Sequence, residues 1–253
     1  NFMKIAPILR AAAKQGSKMT CRVIHTGQHY DRAMSDVFFE ELGIPTPDHH
    51  LGCGGGSHAE QTSKIMVKYE KLCIEEKPDL VLVVGDVNST LAGAIVAKKL
   101  LVKVAHVEAG LRSGDREMPE EINRLVTDAI SDLFFVTEPS GVEHLQHEGH
   151  PDSKIFHVGH VMVDNVIYQR DKLALNPIES GLSVDIKNAH SDYGVVTLHR
   201  PSNVDDPEVF AQLVGALRKV SEKLPLIFPV HPRTRANLEK FNLDLGPAVQ
   251  LCD

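Results

Sequence analysis

Cysteine, basic charge and long apolar runs are all scarce in this 253-residue chain. The four cysteines, Cys21, Cys53, Cys73 and Cys252, are scattered, with no CxxC pair and no histidine at ligand spacing beside them. That argues against a zinc site and for reduced structural thiols. Lys and Arg number 27 against 34 Asp and Glu, a formal net charge of -7. Neutralising nucleic-acid phosphates takes a basic patch that this balance does not supply, so no nucleic-acid partner is expected. No apolar run approaches the ~20 residues that cross a bilayer, and the first residues lack the charged, apolar and small-residue order of a signal peptide. A cytoplasmic protein with no membrane partner is the expectation. A Walker loop is missing as well. Gly52-Cys53-Gly54-Gly55-Gly56-Ser57 has no Lys-Ser/Thr ending and follows the polar segment 45–50 rather than a strand, so it reads as a flexible loop. The 14 histidines mostly stand singly; His144, His147 and His150 read as solvated, and no metal is expected.

What the chain does have is an ordinary globular balance, 42% hydrophobic and 24% charged, in enough length for one large or two modest domains. Short apolar runs at 20–25, 80–84, 102–107, 133–136 and 155–158 read as buried strands. Helical periodicity marks 3–14, 31–42, 59–76, 89–100, 120–130, 140–148 and 162–171 between them. Strict alternation of this kind predicts an α/β fold with a parallel sheet covered by helices on both faces. The rhythm falters after Asp171. Residues 172–192, rich in Asn, Ser, Gly, Pro and Asp, read as a linker between an N-terminal domain, 1–171, and a partial C-terminal domain, 193–253. The second domain repeats the pattern with strands at 194–198, 226–230 and 248–251, too few for a complete parallel sheet.

Chemistry-bearing residues gather at the strand ends, where open α/β sheets bind ligands. Asp86 follows the 80–84 strand and Glu108 follows the next, so both carboxylates can face one cavity as acid–base chemistry requires. The string His106-Val107-Glu108-Ala109-Gly110-Leu111-Arg112 leads into Pro119-Glu120-Glu121-Ile122-Asn123-Arg124, the start of a helix. Arg112 and Arg124 there suit a phosphate or carboxylate ligand, with salt bridges to Asp115 or Glu121 as the competing account. In the second domain His199-Arg200 and His231-Pro232-Arg233 occupy successive strand ends and make an electropositive rim fit for a diphosphate, opposite the acidic rim of the first domain across a cleft.

These motifs, together with Lys4-Ile5-Ala6-Pro7, the Thr26-Gly27-Gln28-His29 turn, Gly85-Asp86 and Leu198-His199-Arg200, occur in the order and approximate spacing of UDP-N-acetylglucosamine 2-epimerases, which the whole chain resembles. The resemblance implies a GT-B-like fold of two Rossmann-like domains holding a UDP-sugar. It also implies interconversion of UDP-GlcNAc and UDP-ManNAc through 2-acetamidoglucal for surface polysaccharides, no nicotinamide or metal cofactor, and a homodimer. On the motif match Asp86, Glu108 and Glu120 fall on catalytic carboxylates and His199 on a catalytic histidine. Lys4 and Arg112 fall near substrate, and Gln28 near a regulatory UDP-GlcNAc site. Arg124, Arg200, His231 and Arg233 complete the expected substrate-binding set. The family pattern begins with a strand and a Gly-Thr-Arg-Pro turn that precede this chain, and its Ser-Gly-Gly turn lies past Asp253. If this chain is the whole molecule, little or no turnover is expected; if it is a fragment, the full protein is expected to be active. A hydrolysing 2-epimerase, a GT-B glycosyltransferase and a UDP-sugar-binding module without turnover are the competing functions.

Overall fold

The computed structural model describes residues 2–27, 39 and 41–252, which leaves Gln28 and most of the helix expected at 31–42 outside the described residues. The chain divides into two compact units, Asn1–Leu175 and Asn176–Asp253.

In the first unit the elements run α1 (Phe2–Lys14), β1 (Ile24–His25), β2 (His49–His50), α2 (His58–Glu76), β3 (Leu80–Val84), α3 (Asn88–Lys99), β4 (Lys103–Val107), α4 (Pro119–Ile130), β5 (Leu133–Val136), α5 (Pro139–His147), β6 (Ile155–His157) and α6 (Val161–Leu175). Strands β3, β4, β5 and β6 form a four-stranded parallel sheet in that order, and β1 pairs with β2 in a separate two-stranded parallel sheet. The expected parallel α/β sheet is therefore present as two pieces. All strands point the same way, so every strand-to-helix loop of the larger sheet emerges at its carboxyl edge.

Packing explains the local choices. Helix α3 turns small residues, Ala92, Gly93, Ala94 and Ala97, inward, and Val81, Val83 and Val104 fill the space they leave. A methyl group on Gly93 would already stand 3.3 Å from Val83. Helix α2 begins in a capping box: Ser57 accepts the Glu60 N–H while the Glu60 carboxylate accepts the Ser57 N–H, which satisfies two donors that a helix start otherwise leaves open. Around β5, Phe134 and Val136 are fully buried with Ala109 and Leu145.

The glycine-rich segment differs from expectation. His49–His50 is a strand, paired with Ile24–His25, so the loop at 52–57 does follow one. The Cys53 N–H donates to the Thr26 carbonyl at 2.7 Å and its side chain is fully buried. A side chain on Gly27, whose φ is +83°, would stand 2.9 Å from the backbone of Gly52 and Cys53. Glycine is needed at position 27 for this close approach of two backbones.

The second unit contains α7 (Leu182–Ala189), β7 (Gly194–Val195), α8 (Pro201–Val204), α9 (Pro207–Ser221), β8 (Leu226–Pro229), α10 (Pro232–Lys240) and β9 (Val249–Cys252). The three strands form a parallel sheet in sequence order. Its core joins Val204, Phe210, Val214, Leu226, Phe228, Val230, Leu238, Leu245 and Val249. Two boundaries move. Helix α6 runs on to Leu175, past the expected end at Asp171, and the segment read as linker holds α7, whose Ile186 is buried. Among the described residues no helix is long and apolar enough to cross a membrane.

Candidate functional site

Two strand-end carboxylates organise the first unit, and each has its own cation. Asp86 lies in the turn between β3 and α3, where its Oδ2 accepts from Arg124 Nη1 at 2.6 Å. Arg124 projects from the first turns of α4 and also donates through Nε and Nη2 to Glu121 Oε2, at 2.9 and 2.6 Å. Glu108 follows β4 with φ +69°, a left-handed backbone that a non-glycine residue adopts at a cost of about 1 kcal/mol or more. Its carboxylate is 7% exposed and pairs with the Lys4 ammonium from α1. On its other oxygen, His160 Nε2 stands 3.7 Å away. Asn123 ties the set together by donating to the Asp86 carbonyl at 2.8 Å.

Glu120 is exposed on the first turn of α4. Its neighbour Glu121 is the buried member of the pair, accepting the Ser113 and Gly114 N–H groups at 3.0 and 3.1 Å. Burial by itself would raise the Glu121 carboxyl, but those backbone donors and the Arg124 guanidinium outweigh it and hold the carboxyl at about 2. Glu121 thus anchors the loop at 111–118 from below, an ionised strut rather than a proton donor.

Arg112 is not paired with Asp115 or Glu121, the partners its sequence neighbourhood suggested. Its guanidinium meets Asp128 Oδ2 at 2.8 Å and grips Glu148 with two bonds, at 2.8 and 2.6 Å. The fork geometry of two parallel N–H donors on one carboxylate accounts for the choice. Of the three histidines read as solvated, only His147 is exposed. His144 donates from Nδ1 to the Gly110 carbonyl at 2.8 Å, and the His150 ring packs 4.4 Å from Phe134.

The loop that carries Glu108 is pressed against α5. Gly110 has φ +79°, and a Cβ there would fall 2.2 Å from the Gly141 carbonyl oxygen. Gly110→Ala combines left-handed strain with an overlap the backbone must relieve, so a loss of about 3 kcal/mol is expected in urea unfolding. A loss below about 1 kcal/mol would show that the two backbones separate freely.

In the second unit, His199 and Arg200 lie exposed between β7 and α8, with Arg200 at the cap position of α8. The His199 and His231 rings stand 6.1 Å apart between centroids at 34°. His231 caps α10, its Nδ1 accepting the Arg233 N–H at 3.2 Å. Arg233 closes two bonds on Asp205, at 2.9 and 2.7 Å. The repeated His/Arg pattern thus brings two imidazoles together, while one of its guanidiniums is held by a carboxylate. Among the described residues no group of three or more His, Cys, Asp or Glu side chains is placed to hold a metal ion.

Sequence reasoning missed His160, although Gly159-His160 follows β6 at the same sheet edge as Asp86 and Glu108. The strand-end logic that singled out those two applies to it unchanged.

A profile described as UDP-N-acetylglucosamine 2-epimerase matches residues 11–253. A Methanococcus maripaludis protein named UDP-N-acetylglucosamine 2-epimerase homolog is 45% identical over 96% of this chain and 66% of its own. A Pseudomonas aeruginosa UDP-2,3-diacetamido-2,3-dideoxy-D-glucuronate 2-epimerase is 41% identical over 100% of this chain and 69% of its own. Among solved structures, the Methanocaldococcus jannaschii UDP-GlcNAc 2-epimerase in complex with UDP-GlcNAc and UDP superposes with a TM-score of 0.82 at 39% identity, over 100% of this chain and 70% of that one. The chain therefore spans about two thirds of the length of such relatives, in the GT-B-like α/β architecture expected of it.

Proposed function

This chain belongs to the UDP-N-acetylglucosamine 2-epimerase family, and on that premise we propose that its protein interconverts UDP-GlcNAc and UDP-ManNAc, a cytoplasmic reaction of a homodimer. The observation that carries the proposal is the pair of carboxylates at adjacent strand ends, Asp86 on Arg124 and Glu108 on Lys4.

The chemistry asks for such a pair. A carboxylate takes the C2 proton of the N-acetylhexosamine while the C1–O bond to UDP breaks, leaving 2-acetamidoglucal and UDP. For the return step a proton is delivered to the opposite face of C2, and the UDP oxygen rebuilds the C1–O bond. Asp86 and Glu108, with the exposed Glu120, are proposed to handle the protons. Arg124 and Lys4 fix the orientation of the Asp86 and Glu108 carboxylates. His199, Arg200, His231 and Arg233 are assigned to the diphosphate, where negative charge builds as the bond breaks. Lys4 and Arg124 are assigned to the sugar through the carboxylates they pair with, and Arg112 to the framework, because two carboxylates already occupy it.

The decisive experiment is incubation with UDP-GlcNAc in deuterated water, followed by NMR. UDP-ManNAc labelled at C2 is the expected product. Free N-acetylmannosamine with UDP would make the protein a hydrolysing enzyme. Sugar transfer to an added acceptor without C2 label would make it a glycosyltransferase, and binding of UDP without any label a binding module. Light scattering tests the dimer. A second substrate is favoured by the Pseudomonas relative: the same C2 inversion on a UDP-2,3-diacetamido uronate, which a comparison of kcat/KM for the two nucleotide sugars decides.

A further inference from the structure

Two fully buried ionisable groups of the first unit play no part in the proton transfers just described. His106 and Asp128 are both 0% exposed, yet each reaches the backbone of a loop that carries a reacting carboxylate. His106 lies on β4 with Nδ1 2.6 Å from Asp128 Oδ1 and Nε2 2.8 Å from the Gly85 carbonyl. The Gly85 carbonyl can only accept, so Nε2 donates to it, and Nδ1 shares the second bond with Asp128. Asp128, on α4, uses its other oxygen to accept the Gly110 N–H at 3.0 Å and Arg112 Nη1 at 2.8 Å. Burial alone would raise the Asp128 carboxyl; the hydrogen bond to His106, the Arg112 guanidinium and the Gly110 N–H pull it below its ordinary value.

The two contacted residues are telling. Gly85 immediately precedes Asp86, and Gly110 is two residues beyond Glu108. Gly85, Glu108 and Gly110 all have left-handed backbones, with φ of +71°, +69° and +79°. Of the three only Glu108 is strained there, and such a backbone persists where its surroundings hold it; here one imidazole–carboxylate pair spans both loops. We propose that His106 and Asp128 are positioning residues that set the spacing of the Asp86 and Glu108 loops, acting on the reaction only through the backbone at Gly85 and Gly110. The inference rests on the proton-transfer role proposed above for the two carboxylates.

Two substitutions separate positioning from stability. His106→Gln carries an amide N–H toward the Nε2 position and keeps a donor for the Gly85 carbonyl. His106→Asn keeps one for Asp128 and abandons Gly85. Since a misplacement of about 1 Å costs on the order of 100-fold in rate, His106→Asn should lower kcat for C2 deuterium incorporation by about 100-fold with KM little changed. His106→Gln should restore most of kcat. If both variants lose melting temperature together and keep kcat per folded molecule, the pair is only a stabilising element and the proposal falls.

Amide hydrogen exchange gives a reading that needs no turnover. Asp128→Asn should speed exchange at Gly110 by about tenfold while leaving β9 in the other unit unchanged, because local opening is set by local contacts. Unchanged exchange at Gly110 in Asp128→Asn, and at Asp86 in His106→Asn, overturns the positioning role. Should the unsubstituted protein neither make UDP-ManNAc nor label C2, the functional reading fails on its own, and the exchange rates still decide whether the pair holds the loops.

Discussion

Glu108→Gln is expected to lower kcat by two to four orders of magnitude, the contribution a positioned general base or acid usually makes. The amide keeps the size of the side chain but accepts no proton at working pH, and it leaves the Lys4 ammonium without its counter-charge. C2 deuterium incorporation should fall by the same factor as product formation, because both depend on the same proton leaving. Asp86→Asn is the natural companion. If one variant loses label while the other still exchanges it without inverting C2, the two carboxylates serve opposite faces of the sugar. Retention of kcat within about tenfold in Glu108→Gln would remove that residue from the chemistry.

The second large effect concerns stability. Glu121 is 2% exposed and held at about 2, against an ordinary value of 4.5. The gap is about 3 kcal/mol of folding stability. Because the folded value is the lower one, this contribution is whole above about pH 4.5 and drains away as pH falls toward 2. Glu121→Gln should therefore cost about 3 kcal/mol in urea unfolding at pH 7, and the two proteins should converge in stability near pH 2. Parallel curves down to that pH would mean that Glu121 is not the acid-sensitive strut. A loss of kcat should accompany the loss of stability, since Arg124 shares its guanidinium between Glu121 and Asp86.

Much of this geometry is legible in the sequence because strand ends announce themselves: an apolar run, a glycine or acidic residue, then a helix start. Asp86 and Glu108 in the first unit, and His199 and His231 in the second, lie in such strand-to-helix turns. What stayed hidden depended on partners distant along the chain. The pairing of Arg112 with Asp128 and Glu148 follows from the way α4 and α5 pack beside the loop, which spacing cannot reveal. His106 stands at the head of the string 106–112, but its partner Asp128 reads in sequence as an ordinary helix residue. The strand at His49–His50 was missed because two polar residues carry no apolar signature and are fixed by pairing alone. The helix at Leu182–Ala189 was missed for a related reason. Turn-forming residues around it dominate the composition, while a single buried Ile186 docks it.

The left-handed backbone at Glu108 sets two kinds of selection against each other. Glycine would relax that backbone and remove the burial of a charge, yet it would take away the carboxylate on which the proposed reaction turns. A library of variants sorted for heat resistance alone would thus drift toward a sturdier and idle protein at this codon, while one sorted for turnover would keep paying the conformational penalty.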